Sequence, residues 1–98
     1  MKNYFVYILA SKKNGTLYIG TTSNLIKRIW EHKNEVIKGF TERYNVDRLV
    51  YYEQYDTPVG AIEREKVLKN WRRQWKINQI EKENPEWNDL YNEIADGS

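Results

Sequence analysis

Arg28 and His32 stand one helical turn apart, a spacing that brings Cβ atoms within about 6 Å of each other on a helix. An arginine placed there can grip a phosphate with two donors and offset the charge that builds on a pentavalent phosphorus. A neighbouring histidine can take or deliver a proton near neutral pH. The ordinary alternative is a surface arginine beside a packed, hydrogen-bonded histidine. Glu65 is the most anomalous residue. Helical geometry sets it between Ala61 and Ile62 and on the side of Leu68, whereas Glu63 points away and can be wholly solvated. A carboxylate at the edge of an apolar face is costly unless a cation pairs with it or a metal uses it. Lys69, four residues on, offers it an ordinary helix ion pair.

Tyr7 and Tyr18 fall on two strand-like segments that converge if those segments pair. A phenol hydroxyl near a nucleophilic water can orient it or, with a lowered pKa, deprotonate it. Tyrosine in a strand also serves simply as packing. Gly20, just beyond Tyr18, lets backbone or ligand approach closely because it lacks a side chain.

The elements that must position these residues follow from pattern. Tyr4 to Ala10 and Leu17 to Thr22 are β-branched and aromatic runs, and Lys12-Lys13-Asn14-Gly15 between them is hairpin chemistry. The first run is apolar on both of its alternating faces, so it is expected to be covered on both sides. Ser23 or Asn24 caps a helix that is expected to reach about Ile37. Leu25, Ile26, Ile29, Trp30, Val36 and Ile37 fill one arc of it, with Arg28 and His32 at the edge of that arc. Lys38 to Arg48 reads as a polar, basic connection and Leu49 to Tyr55 as a third strand. Thr57 and Pro58 open another helix, long or broken, that Ala61, Ile62, Val67, Leu68, Trp71 and Trp75 mark out; Trp71 to Ile80 reads alternatively as a separate, shorter one, with Trp71 and Trp75 expected in the core. Asn84-Pro85-Glu86-Trp87 breaks the chain again before a short helical or frayed tail. The expected order is β-β-α-β-α-α: an α/β (α+β) fold with a small three-stranded antiparallel sheet flanked by helices.

Ninety-eight residues suit one small domain, with a core over about 3–90 and an acidic tail over about 88–98. The net charge of +2 conceals an asymmetry: residues 1–76 hold 15 Lys and Arg against 8 Asp and Glu, while residues 77–98 hold one Lys against 6 acids. A basic body is suited to a polyanion, although a charge-mixed solvated surface reads the same way. The chain has no cysteine, which excludes disulfides and thiolate metal sites and fits a reducing, cytoplasmic setting. No apolar run approaches the roughly 18 residues of a membrane span, and no signal-peptide pattern is present.

Together these spacings resemble the GIY-YIG nuclease domain, and more closely its short single-domain subgroup. The subgroup pattern runs xVYIL, YIG, N-L-x-x-R-x-x-x-H, A-x-x-R-E and N-P-x-W. This chain supplies Phe5-Val6-Tyr7, Tyr18-Ile19-Gly20, Asn24-Leu25 with Arg28 and His32, Ala61 with Arg64-Glu65, and Asn84-Pro85-Glu86-Trp87. The first motif departs from the family in having Phe5-Val6 in place of Gly-Ile, and Thr21 stands where some relatives carry a lysine after YIG.

The resemblance implies a metal-dependent endonuclease that hydrolyses phosphodiester bonds in DNA. Glu65 would hold one Mg²⁺ or Mn²⁺ together with substrate, since one carboxylate must be completed by waters and phosphate oxygens. Arg28 would steady the scissile phosphate, Tyr7 and Tyr18 would shape or activate the attacking water, and His32 would assist proton transfer. An asparagine near the end of the domain joins the site in some members, and Asn84 is the candidate here. Lys38, Thr41, Arg43, Arg72 and Arg73 are expected to follow the nucleic-acid backbone, with Phe40 and Tyr44 available to stack a base. No separate targeting module is evident, so low sequence preference, structured or damaged DNA, and a role in repair or recombination are expected. A protein partner or a homodimer would supply targeting or paired cuts, and RNA stays open as a substrate because nothing reads sugar identity. The alternatives are a non-catalytic nucleic-acid-binding module with the same fold and a protein-interaction domain that uses the acidic tail and exposed tryptophans.

Overall fold

The central strand is apolar on both faces, and the fold is built around burying it. A computed structural model describes residues 2–96; the last two positions of the expected acidic tail lie outside the described residues. Strand β1 (Tyr4–Ala10) lies between β2 (Leu17–Thr22) and β3 (Arg48–Tyr55), antiparallel to both. Val6 to Ala10 are almost wholly buried. Val6, Ile8 and Ala10 pack on one face with Ala61, Leu68, Ile80 and Trp87, while Tyr7 and Leu9 pack on the other with Leu25, Ile29 and Val46. The two-sided cover expected from the sequence is thus observed.

The first face is covered by α3 (Pro58–Asn70) and α4 (Arg73–Glu83), the second by α1 (Leu25–Lys33) and α5 (Tyr91–Asp96). Thr57 caps α3 by accepting from the Gly60 amide at 3.1 Å, and Asn24 caps α1 by accepting from the Lys27 amide at 3.1 Å. A short helix, α2 (Phe40–Arg43), interrupts the connection between α1 and β3.

Several boundaries differ from expectation. Helix α1 stops at Lys33 instead of Ile37 because Glu35 takes a left-handed conformation, φ 56°. The Val36 amide donates to the Glu31 carbonyl at 2.9 Å and the Glu35 amide to the His32 carbonyl at 3.3 Å. That pair of bonds closes a helix C-terminus. The same closure ends α2, with Asn45 at φ 54° and the Val46 amide bonded to the Thr41 carbonyl. Ile26, Trp30 and Val36 are exposed, so the buried stripe of α1 is narrower than the expected arc. Trp75, expected in the core, is 51% exposed, and Trp71 is only partly buried.

The segment after α4 fastens the sheet. Asn84 Nδ2 donates to the Val50 and Asn88 carbonyls at 3.1 and 2.9 Å, and its Oδ1 accepts from the Asn88 amide at 3.0 Å. Trp87 is fully buried, and its indole donates to Glu81 at 2.7 Å. Beyond it the Leu90 amide donates to the Leu49 carbonyl, and Asp89 accepts from the Leu49 amide and pairs with Lys33. These contacts occupy the outer edge of β3 at its start. The acidic tail is therefore docked: Leu90, Tyr91 and Ile94 pack on the sheet through their apolar sides.

Candidate active site

The hairpin register places Gly20 directly opposite Tyr7. A Cβ on Gly20 would lie 2.6 Å from the Tyr7 hydroxyl and 2.7 Å from its Cζ. The phenol therefore lies flat across β2 in space that only glycine leaves open. Beyond it, the Tyr7 hydroxyl stands 3.1 Å from His32 Nε2, and His32 Nδ1 stands 3.0 Å from Thr41 Oγ1. Tyr18 closes a triangle of rings, with centroids 6.4 Å from Tyr7 and 5.7 Å from His32. Tyr7, His32 and Thr41 are all buried.

Arg28 lies one turn before His32, with its side chain 41% exposed and its Nε 3.3 Å from Glu31. Glu65 comes from α3, on the other face of the sheet, and its carboxylate is 2.7 Å from the Lys69 ammonium. The helix ion pair offered by the sequence is thus formed. Burial holds the Tyr7 phenol above its ordinary range, Tyr18 and the Glu65 charge add to this, and the Arg28 guanidinium opposes it. Tyr7 consequently registers the charges of both helices. Burial also pushes His32 below the ordinary histidine value; Arg28 reinforces this, while Glu31 and Asp47 work against it. His32 is therefore neutral at pH 7. In the tautomer protonated at Nδ1, the ring donates to Thr41 and leaves Nε2 to take the Tyr7 proton.

This sets a pH dependence of stability. A buried neutral imidazole stabilises the fold above its unfolded value of 6.5, and that contribution is lost as pH falls through the lowered folded value. A phenol raised on folding contributes below 10.0 and loses its contribution as pH rises. Stability is expected to be flat between these limits. The chain has one histidine, so the midpoint of its ring resonance by NMR is unambiguous and should lie below 6.5. A midpoint at or above that value would contradict the buried, neutral ring.

The structure brings Tyr7, Tyr18, Gly20, Arg28 and His32 together and sets Glu65 within electrostatic reach. Asn84 instead commits its amide to the junction of α4 with β3. Thr41, expected on the nucleic-acid backbone, is 6% exposed and orients His32. Sequence reading missed that role because the pair is joined only once α2 folds back. Arg73 donates to the Asn14 and Gly15 carbonyls of the hairpin turn, both at 2.7 Å. Arg72 lies over the Trp75 ring, Lys38 pairs with Glu42, and Arg43 is exposed.

Among the described residues, no three His, Cys, Asp or Glu side chains form a metal-binding group. The hard carboxylate oxygens of Glu65 fit a Mg²⁺ or Mn²⁺ ion completed by water and phosphate oxygens. No helix among the described residues is long and apolar enough to cross a membrane.

The three-stranded antiparallel sheet with its flanking helices thus carries two tyrosines, an Arg–His pair and one glutamate. The model of the GIY-YIG catalytic domain matches residues 3–78, and the chain belongs to this family. It is 35% identical over 80 residues to a UPF0213 protein of Staphylococcus saprophyticus, spanning 82% of this chain and 96% of that one. A UPF0213 protein of Staphylococcus epidermidis is 33% identical over 81 residues, spanning 83% and 98%. The solution NMR structure of the UPF0213 protein BH0048 from Bacillus halodurans superposes with a TM-score of 0.55 at 25% identity, covering 90% of this chain and 93% of that one.

Proposed function

We propose that this chain is a metal-dependent endonuclease that hydrolyses phosphodiester bonds in DNA with little sequence preference. The observation that carries this reading is the buried Tyr7–His32–Thr41 chain laid across Gly20, with Arg28 beside it and Glu65 within electrostatic reach.

Each residue has a task its surroundings suit. His32, kept neutral, accepts a proton passed through the Tyr7 hydroxyl, and Thr41 holds the imidazole in the orientation that allows this. Tyr18 flanks the same hydroxyl and limits where a water can approach. Arg28, part-exposed and forked, binds the phosphate and stabilises the charge that develops on it. Glu65 would hold the Mg²⁺ or Mn²⁺, which when bound would supply positive charge to offset the charge developing on the phosphate. The basic residues around the site are suited to the DNA backbone, and a second copy or a protein partner would provide paired cuts or targeting.

One observation favours a non-catalytic binding module instead: Glu65 already has a cation, the Lys69 ammonium. The two readings separate in one experiment. Wild type, Glu65→Gln and Lys69→Met are titrated with Mn²⁺ by electron paramagnetic resonance and assayed on supercoiled, single-stranded and branched DNA. Metal-dependent cutting that falls at least about 100-fold in Glu65→Gln is expected. Removing the competing ammonium in Lys69→Met should tighten Mn²⁺ binding severalfold. Clean wild-type protein that binds DNA but neither binds Mn²⁺ nor cuts would make it a binding module.

A further inference from the structure

We propose that Phe40 and Tyr44, continuing from Tyr18, form a platform that stacks an unpaired nucleobase, so that the preferred strand is single-stranded beside the site. This rests on the reading above that the chain binds a polynucleotide. Phe40 is 46% exposed and Tyr44 50% exposed, so the fold leaves two large rings open to solvent on one short helix. They are not scattered. Phe40 is stacked against Tyr18 with centroids 6.3 Å apart and planes inclined by 27°, and Tyr44 lies 4.9 Å from Phe40. Because Tyr18 also touches His32, the succession of rings begins at the proposed site and leads outward to solvent.

The platform is fixed to that site. Thr41, between the two rings in sequence, bonds to His32, and the buried Val46 closes the end of α2. Space and charge are available on both sides of Phe40. A cavity of about 340 Å³ joins Phe40 and Tyr18 to Lys76 and to Lys69, which also pairs with Glu65, and another of about 480 Å³ joins Phe40 to Glu42, Arg43 and Tyr44, with Glu42 neutralised by Lys38. Aromatic faces with cations beside them match a strand whose bases are free to stack and whose phosphates need counter-charge. A duplex buries its base faces in its own stack and leaves such rings without a partner.

The test measures binding in EDTA, where cleavage plays no part. Fluorescence anisotropy is recorded with labelled strands of about 15 nucleotides, a length on the scale of single-strand binding sites: single-stranded DNA, the same sequence as duplex, an abasic strand and single-stranded RNA. Wild type should bind the single strand at least about fivefold more tightly than the duplex or the abasic strand. Phe40→Leu and Tyr44→Leu, both conservative at exposed positions, should each weaken single-strand binding by about fivefold or more and leave duplex and abasic binding unchanged. Equal binding of RNA supports the platform, which touches bases and not sugars. Thermal melts of both variants matching wild type show that folding is intact. The proposal is overturned if both variants bind the single strand as wild type does, if the abasic strand binds as tightly as the normal one, or if no strand binds. Base-dependent binding without cutting in any metal would defeat the nuclease reading and keep the platform. Cutting without base-dependent binding would do the reverse.

Discussion

Gly20→Ala should lower the single-turnover cleavage rate by about 100-fold, the scale of loss expected when a reacting group is displaced by about an ångström. Gly20 does not take a positive φ, so alanine meets no backbone strain there and its effect is purely one of space. The added methyl falls at 2.6 Å from the Tyr7 hydroxyl, which has no slack because His32 holds it from the other side. Either the phenol moves and its bond to His32 breaks, or the hairpin shifts. Overpacking of this kind costs about 1–3 kcal/mol of stability. Chemical denaturation run beside the rate measurement separates the two losses. A variant with wild-type rate and wild-type stability would show that Tyr7 does not need its place across β2.

Glu53→Ala is expected to cost about 2 kcal/mol, between the cost of breaking an exposed ion pair and a buried one, because the pair is part-buried. Glu53 accepts from Arg64 Nε at 3.0 Å, from the second Arg64 donor at 3.1 Å and from the Tyr55 hydroxyl at 2.7 Å, and it is also bonded by Tyr51. Arg64 in turn lies over the Trp71 ring, 5.0 Å from its centroid. Burial alone would raise the Glu53 carboxyl, but Arg64 and the two phenols outweigh it and hold it below the ordinary glutamate value. Alanine therefore leaves a guanidinium and two phenols without their acceptor. Urea unfolding measures the loss, and adding Arg64→Ala should return part of it because the stranded charge is then gone. A shift below about 0.5 kcal/mol would class this network with exposed ion pairs, which contribute little. Arg64 adjoins Glu65 on α3, so the same variant should need a higher Mn²⁺ concentration for half-maximal cutting if the helix loosens.

The local parts of this molecule were legible in its sequence. Tyr4–Ala10 and Leu17–Thr22 are strands at the expected bounds, and Asn14 takes the positive φ that its hairpin position suggested. The spacing of Arg28 and His32 put them on one side of a helix, where both act on Tyr7. What escaped depends on partners distant in sequence or on conformations rare for the residue type. Glu35 ends α1 in a left-handed conformation that favours glycine, so nothing in its identity marks a stop. Thr41 looks like any polar loop residue until α2 sets it against His32. Glu53 lies in a run legible only as a third strand, and its acceptor role appears only when Arg64 arrives from α3. Trp75 looked buried by type, yet α4 turns it to solvent and buries Ile80.

The fastening of Asn84 to Val50 and of Leu90 to Leu49 has a consequence for synthesis. Every proposed site residue has been joined by the time Glu65 leaves the peptidyl transferase centre. The contacts that complete the start of β3 and bury Trp87 still await some two dozen further additions. A nascent chain carries all of the site residues well before it can hold the sheet closed, because domains fold as units. A translation product halted before Asn84 should therefore be a protease-sensitive fragment, and the geometry of the candidate site belongs to a chain that extends past Leu90.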